Sequence, residues 1–296
     1  MKAKKRAVVF GSSGMLGSAV ASRLELNGIQ VLRVSRGAQF KFDAETGSVS
    51  DVLDQIELSD SDTVVNCIGL TKSHIRDGSQ ESVLKAVSLN ILFPNKLASE
   101  ASIRGVNVIQ VATDCVFSGR DGNYLEESDH DAIDVYGKTK SLGEVPGQNV
   151  MHVRCSLIGP EDRRNTLLYE WLRHQPQNAK INGFTNHRWN GVSSFVFGDV
   201  AAGIIKESLF VPGVQHLVPA DEVTKKDLLE LLRIHLGRQD LSIQGVPTTV
   251  AIDRTLATSN SELNGRLFAA AGFDSLPTIA EIIQRMPAPM ADLDAG

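Results

Sequence analysis

Cysteine is scarce: Cys67, Cys115 and Cys155 are the three in 296 residues. They form no C-x-x-C pair and cannot all be bridged, so a disulfide framework is excluded and a reduced, cytoplasmic protein is expected. The seven histidines show no metal-ligand spacing, and no metal site is expected. Positive charge is not in surplus. The net charge is -5 with a pI near 5.8, which speaks against nucleic acid or an acidic membrane as partner. No apolar run is long enough to cross a bilayer. The basic opening, Lys2 to Arg6, precedes the apolar Ala7 to Phe10. That run is too short for a signal-peptide core and meets glycines at once, so it reads as a strand. Aromatics make up only 5% of the chain, and Tyr136 is one of three tyrosines.

What remains is a globular composition, 42% hydrophobic and 22% charged, long enough for one or two domains. Five short runs, RAVVF, IQVLRV, DTVVNCIG, VNVIQVA and VMHVRCSL, are near-continuously apolar, as strands buried on both faces are. Helical patterns separate them at 14–27, 49–56, 80–103 and 133–142, and Gly28 and Gly105 stop two of these. Strands alternating with helices predict a doubly wound parallel sheet of α/β class with right-handed crossovers. After Gly159-Pro160 the pattern loosens. Helices are expected over 163–175, 195–209, 224–237 (capped by Thr224) and 277–286, with a strand at VQHLV and a polar loop over NGFTNHRWNGVSSF. The expected division is a dinucleotide-binding domain over 1–160 and a smaller α+β substrate domain over 161–296. Part of 190–222 is expected to pack back on the first.

The turn after the first strand reads GSSGMLG. Gly11 permits a sharp turn, Gly14 lets backbone approach a pyrophosphate, and Gly17 lets helix and strand pack closely. The helix start then offers free N–H groups to phosphate. The second strand ends without the carboxylate that would hold the ribose of NAD. Ser35 and Arg36 suit the 2′-phosphate of NADP instead. Arg33 alternates away from that side. Asp43 is either an adenine contact or a plain turn residue.

Tyr136 and Lys140 are four apart and share one helix face. Alone they read more readily as a surface pair. If functional, the ammonium is expected to lower the tyrosine pKa and tune it for proton transfer. Thr113 stands at the carboxyl end of the fifth strand, where ligands bind in open α/β sheets, and its hydroxyl could polarise a carbonyl.

The ordered set GSSGMLG, NCIGLT, SLN, ATDCVFSG, YGKTK and VRCSLIGP resembles the extended short-chain dehydrogenase/reductase family, whose first domain is Rossmann-type. Within that family, TDCVFSG followed by YGKTKSLGE is similar to the dTDP-4-dehydrorhamnose reductase-like branch. The likeness is strongest over residues 7–160. It continues more weakly through WNGVSSF, GVQHLV and IDRTLA. It implies Thr113, Tyr136 and Lys140 as catalytic residues and NADP (NADPH) as cofactor. Gly11, Ser13, Gly14, Met15, Leu16 and Gly17 would meet the pyrophosphate, Ser35 and Arg36 the 2′-phosphate, and Asp43 the adenine. Cys67, Ile68 and Gly69, with Tyr136 and Lys140, would lie beside the ribose and nicotinamide. Thr71, Asp114, Cys115 and Arg188 would contact substrate. Asn90 matches an asparagine that supports the strand ends.

The implied activity is reduction of a keto group, at C4 of a nucleotide-linked deoxysugar, for surface polysaccharide or related sugar synthesis. A nucleotide-diphosphate sugar would be the partner, and a homodimer is possible by analogy. An epimerase that retains its cofactor, or a non-catalytic NADP-binding subunit, are the alternatives. Cys115 stands where the reductases carry an aromatic and the dehydratases a glutamate, which argues against dehydration and leaves the sugar open. Arg154, Arg163, Arg164, Lys180 and Arg188 are candidate phosphate contacts. Arg188 with Trp189 could pair a phosphate clamp with a stacking face, and His187 could touch substrate.

Overall fold

The apolar runs of the first half become strands of one parallel sheet. The computed structural model describes residues 5–144, 146–161 and 167–288. In it β1 (Arg6–Phe10) turns into α1 (Met15–Leu26), followed by β2 (Gln30–Ser35), β3 (Phe40–Lys41) and α2 (Val49–Ile56). Next come β4 (Thr63–Asn66), α3 (Gln80–Val87), α4 (Phe93–Ile103), β5 (Asn107–Ala112), α5 (Val135–Leu142) and β6 (Val150–Arg154). The second half adds β7 (Leu157–Ile158), α6 (Leu168–Arg173), β8 (Lys180–Phe184), β9 (His187–Trp189), β10 (Val192–Ser193) and α7 (Ser194–Glu207). It ends with β11 (Gly213–His216), β12 (Val223–Thr224), α8 (Lys225–His235), β13 (Ser242–Val246), β14 (Ile252–Asp253), α9 (Ser261–Ala270) and α10 (Ile279–Gln284).

Seven strands pair in the order β11-β6-β5-β4-β1-β2-β3, all parallel. The order reverses between β1 and β4, which opens a crevice at their carboxyl ends. Alternate residues face opposite sides, so a strand covered on both faces must be apolar throughout. Val9, Val65, Ile109 and Val153 pack with α1, α7 and α9 on one face. Val8, Phe10, Val64 and Val108 pack with α2 and α4 on the other. A separate cluster, including Leu172, Ile181, Trp189, Leu228, Leu232 and Ile283, forms the core of the second half. Among the described residues no helix is long and apolar enough to cross a membrane.

Several expectations are corrected. The helix expected over 80–103 is broken by a π-helical turn at Ser88–Leu92. Pro94 has no N–H to offer the carbonyl of Asn90 four residues back, so the regular ladder cannot run through. The stretch expected as a loop over NGFTNHRWNGVSSF holds the end of β8, then β9 and β10. Their partners, β13, β12, β14 and β7, are remote in sequence or too short to announce themselves. Helix α9 and strand β13 were not foreseen. The VQHLV run supplies β11, which extends the main sheet beside β6, and the start of the helix expected at 163 lies outside the described residues.

Two glycines on α7 set its distance from its neighbours. A Cβ on Gly198 would stand 2.8 Å from the Arg23 Cβ and 3.2 Å from the Val20 Cα of α1. One on Gly203 would meet the Ala270 Cβ of α9 at 2.5 Å. A methyl gains helix propensity of about 1 kcal/mol, but branched bulk at this contact costs more than that. Gly198→Val is therefore expected to destabilise the fold by about 1–3 kcal/mol through overpacking. Urea unfolding reads this, and an unchanged midpoint would show that the two helices are not in tight contact.

Candidate active site

The glycine turn sits at the switch crevice. Gly11 adopts φ 76°, and its N–H donates to Val34 O at 2.9 Å. A Cβ there would meet Ile68 Cγ1 at 2.9 Å and the Cys67 carbonyl carbon at 3.1 Å, so the turn after β1 and the loop after β4 touch. Gly17 lies beneath the turn: its Cβ would fall 2.1 Å from Gly11 O. Ser13 and Gly14 are exposed, and Met15 is half-buried. Gly14 is the N-cap of α1 and no side chain caps the helix, which leaves its first N–H groups facing the crevice. Leu16 points into the core and offers only its backbone there.

At the end of β2, Ser35 is buried and Arg36 exposed. Arg33 pairs with Glu25 at 3.0 Å on the outer side of α1, as its alternation implied. One oxygen of Asp43 is taken up by its own turn, accepting from Glu45 N–H at 2.9 Å. The plain turn role is thus occupied, with one oxygen left over.

Thr113, Tyr136 and Lys140 converge on the turn that follows β5. Thr113 is buried, accepts from Cys115 N–H and donates to Asp114 Oδ1, both at 3.2 Å. Lys140 Nζ donates to Val111 O at 3.1 Å and lies 4.0 Å from where a Cβ on Gly69 would stand. The expected lowering of the tyrosine pKa does not occur. Burial pushes the Tyr136 phenol above its ordinary value of 10, the carboxylates of Asp114 and Asp134 push the same way, and its bond to the Thr113 hydroxyl opposes them. Lys140 is itself pushed down by the same desolvation. Removal from water outweighs the i,i+4 pairing, so the phenol is held protonated. Burial likewise raises the thiols of Cys67 and Cys115 to about 12, which leaves both unreactive.

Two side chains hold α5: Asn90, which the resemblance implied as a support, and Arg154, which was not expected as one. Asn90, in the π turn, accepts from Leu70 N–H at 2.8 Å, and its amide donates to Leu70 O and Thr139 Oγ1, each at 3.1 Å. Arg154, expected at a phosphate, is fully buried instead. It grips Glu144 with two bonds, 3.1 and 2.5 Å, and meets His216 Nε2 and His130 Nε2 at 2.8 Å each. A guanidinium only donates, so both ring nitrogens must accept. Their Nδ1 atoms then carry the hydrogens, donated to Ala257 O by His216 and to Ser141 Oγ of α5 by His130.

Around the mouth of the crevice, Thr71 is exposed and bonded to His74 Nδ1 at 2.9 Å, and Lys72 reaches Asp134, the N-cap of α5, at 2.6 Å. Arg188 is half-exposed and paired with Glu222. Trp189 is buried, donating to Ser156 Oγ at 2.8 Å. Neighbours on a strand face opposite ways, so the combined clamp and stacking face expected of them is not formed. His187 is held by Thr248, and Lys180 is exposed at the start of β8. Arg163 and Arg164 lie outside the described residues. The sequence reading missed Lys225 and Arg254, both within electrostatic reach of Cys115 or Asp114. A signal existed for the first: a lysine opening a helix opposes the helix dipole.

A family model described as the RmlD substrate binding domain matches residues 5–291. The chain belongs to this family. A dTDP-4-dehydrorhamnose reductase from Bacillus anthracis, solved in complex with NADP, is 18% identical to this RmlD-type chain. It has a TM-score of 0.76, with 96% of this chain and 98% of that one covered, which shows the shared fold. A dTDP-4-dehydrorhamnose reductase from Mycolicibacterium smegmatis is 27% identical over 146 residues, 47% of this chain and 40% of its own. The methionine adenosyltransferase 2 subunit beta of Bos taurus is 30% identical over 150 residues, 47% of this chain and 42% of its own. The RmlD-type chain thus spans about two fifths of the length of these curated relatives.

The Arg154 cluster gives the stability of this chain a pH dependence. Burial and the Arg154 charge push both His130 and His216 below their ordinary 6.5, against partial opposition from Glu144, Glu126, Asp129 and Asp131. The unfolded chain therefore binds more protons below pH 6.5 than the folded one. Stability is full above that pH and declines as pH falls below it. A melting temperature that drops between pH 7 and pH 5 is expected. A flat profile over that window would contradict the neutral tautomers.

Proposed function

We propose that this chain is an NADPH-dependent reductase of a keto group, at C4, on a nucleotide-linked deoxysugar. One observation carries the reading: Thr113, Tyr136 and Lys140 gather at the carboxyl edge of the sheet, beside a glycine turn whose helix start is left uncapped. The residues fit a dinucleotide. Gly14 leaves backbone open at the start of α1, Ser35 and Arg36 would meet a 2′-phosphate, and Cys67, Ile68, Gly69 and Lys140 would flank the nicotinamide ribose. When bound, NADPH supplies the hydride. Tyr136, kept protonated by its burial, supplies the proton to the carbonyl oxygen as charge develops there. Thr113 orients that oxygen, and Lys140 offers an ammonium toward the ribose and the phenolate left behind. Thr71, Asp114, Cys115 and Arg188 are assigned to the substrate.

The division into residues 1–160 for cofactor and 161–296 for substrate belongs to this proposal. So do a cytoplasmic location, a homodimer and a role in surface polysaccharide synthesis. A non-catalytic NADP-binding subunit is a second reading, because the subunit beta relative matches over as long a stretch as the reductase does.

A panel of nucleotide-linked 4-keto sugars should oxidise NADPH in a spectrophotometric assay. Tyr136→Phe should lower the rate by about 100-fold or more, and Arg36→Ala should raise the KM for NADPH and leave that for NADH alone. Undiminished rates in Tyr136→Phe would remove the mechanism. Tight NADP binding without turnover on any sugar would favour the subunit.

A further inference from the structure

Two cations in the cleft have no anionic partner among the described residues. Lys225 opens α8, where the Thr224 hydroxyl already caps the helix by accepting from Asp227 N–H at 3.1 Å. The helix dipole presents its positive end there and opposes a positive charge, and no carboxylate lies within ion-pair distance of the ammonium among the described residues. Local rules broken without a structural return mark functional positions. The Lys225 ammonium lies 5.5 Å from the centroid of the Trp189 ring, and Trp189 is anchored to Ser156. Arg254 stands beside the same turn. Its Nε donates to Phe117 O at 2.8 Å, and no ion pair or second hydrogen bond engages it among the described residues.

Charge in this corner is unbalanced. Lys225 and Arg254 lie within electrostatic reach of each other and of Cys115, as does Lys72 of Cys115. Asp114 lies within reach of Lys225, and Asp134 within reach of Arg254. Asp134 is taken by Lys72 at 2.6 Å, and Asp114 is buried against the Thr113 hydroxyl. Neither Lys225 nor Arg254 is ion-paired among the described residues, so positive charge without a salt-bridge partner stands here. It lies by the turn that carries Thr113, where the reacting carbon of a substrate would sit.

We propose that Lys225, with Arg254 beside it, binds a carboxylate carried by the sugar of the substrate, above Cys115. This rests on the nucleotide-sugar part of the proposed function and replaces its deoxysugar with a sugar acid, whose ring carboxylate stands where a 6-deoxy sugar has a methyl. A ring carboxylate would meet a half-buried ammonium and a half-buried guanidinium, with which it can form charge-assisted bonds. The same position would give a neutral 6-deoxy ring no counter-charge.

Calorimetric titration of the whole chain in the presence of NADP tests this without turnover. UDP-glucuronate should bind at least ten-fold more tightly than UDP-glucose. Lys225→Met should bring UDP-glucuronate down to the UDP-glucose level, and Lys225→Arg should keep most of the difference. Lys225→Met breaks no hydrogen bond of the fold. Equal affinity of the wild type for both sugars, binding of neither, or a variant that weakens both alike would overturn the proposal. The last result would assign Lys225 to the shared diphosphate. Failure of NADPH oxidation would instead remove the reductase reading and leave this affinity difference standing as its own result.

Discussion

One buried amide holds the crevice together. Asn90 is bonded to both backbone groups of Leu70, on the loop after β4, and to Thr139 of α5. Its own carbonyl, released from the helix ladder by Pro94, lies where a Cβ on Gly143 would be, at 1.9 Å. Only glycine at 143 admits that approach. The loop that would flank a nicotinamide and the helix that carries Tyr136 and Lys140 are therefore fixed by the same side chain. Loss of the amide would strand two backbone groups of Leu70 in a part-buried site, at about 1–3 kcal/mol for each orphaned group, while the Thr139 hydroxyl keeps its bonds to the carbonyls of Val135 and Tyr136. The π turn is thus an irregularity with a local cause and a structural consequence, since it places Asn90 between the two segments.

Behind this clamp, electrostatics and burial divide the work. Arg154 and Glu144 are buried as a bidentate pair, and neutral histidines complete the guanidinium's bonds. Such a cluster specifies geometry more than it stabilises. It ties β6, β11 and the loop before α5 into one unit, since His130 also grips Ser141. In front of the clamp, desolvation keeps the phenol of Tyr136 protonated and the thiols inert. A donor tyrosine needs no lowered pKa if the oxygen it serves becomes an alkoxide, because an alkoxide is a far stronger base than a phenolate.

The sheet was legible because strands covered on both faces cannot hide their apolar runs. Gly11, Gly14 and Gly17 were legible because each meets a separate steric demand. The Tyr136 and Lys140 pair was found by spacing, yet its electrostatics were misread, since spacing along a helix says nothing of how deeply the helix is buried. Arg154 was taken for a ligand contact because its partners lie ten, 24 and 62 residues away. Strand β9 escaped notice because a three-residue strand is defined by remote partners. Helix α9, with Gly265 in its middle and three polar residues at its start, owes its place to Leu263, Leu267 and Phe268 on the sheet. Its pattern alone is weak.

The central claim is that the glycine turn and the Tyr136 phenol serve one cavity. Diffraction from crystals grown with NADPH tests it directly and needs no sugar. The nicotinamide should lie along Gly69 and Lys140, with the Tyr136 hydroxyl facing the same open side. A dinucleotide running the other way along the crevice, or a phenol turned from the ring, would contradict the account.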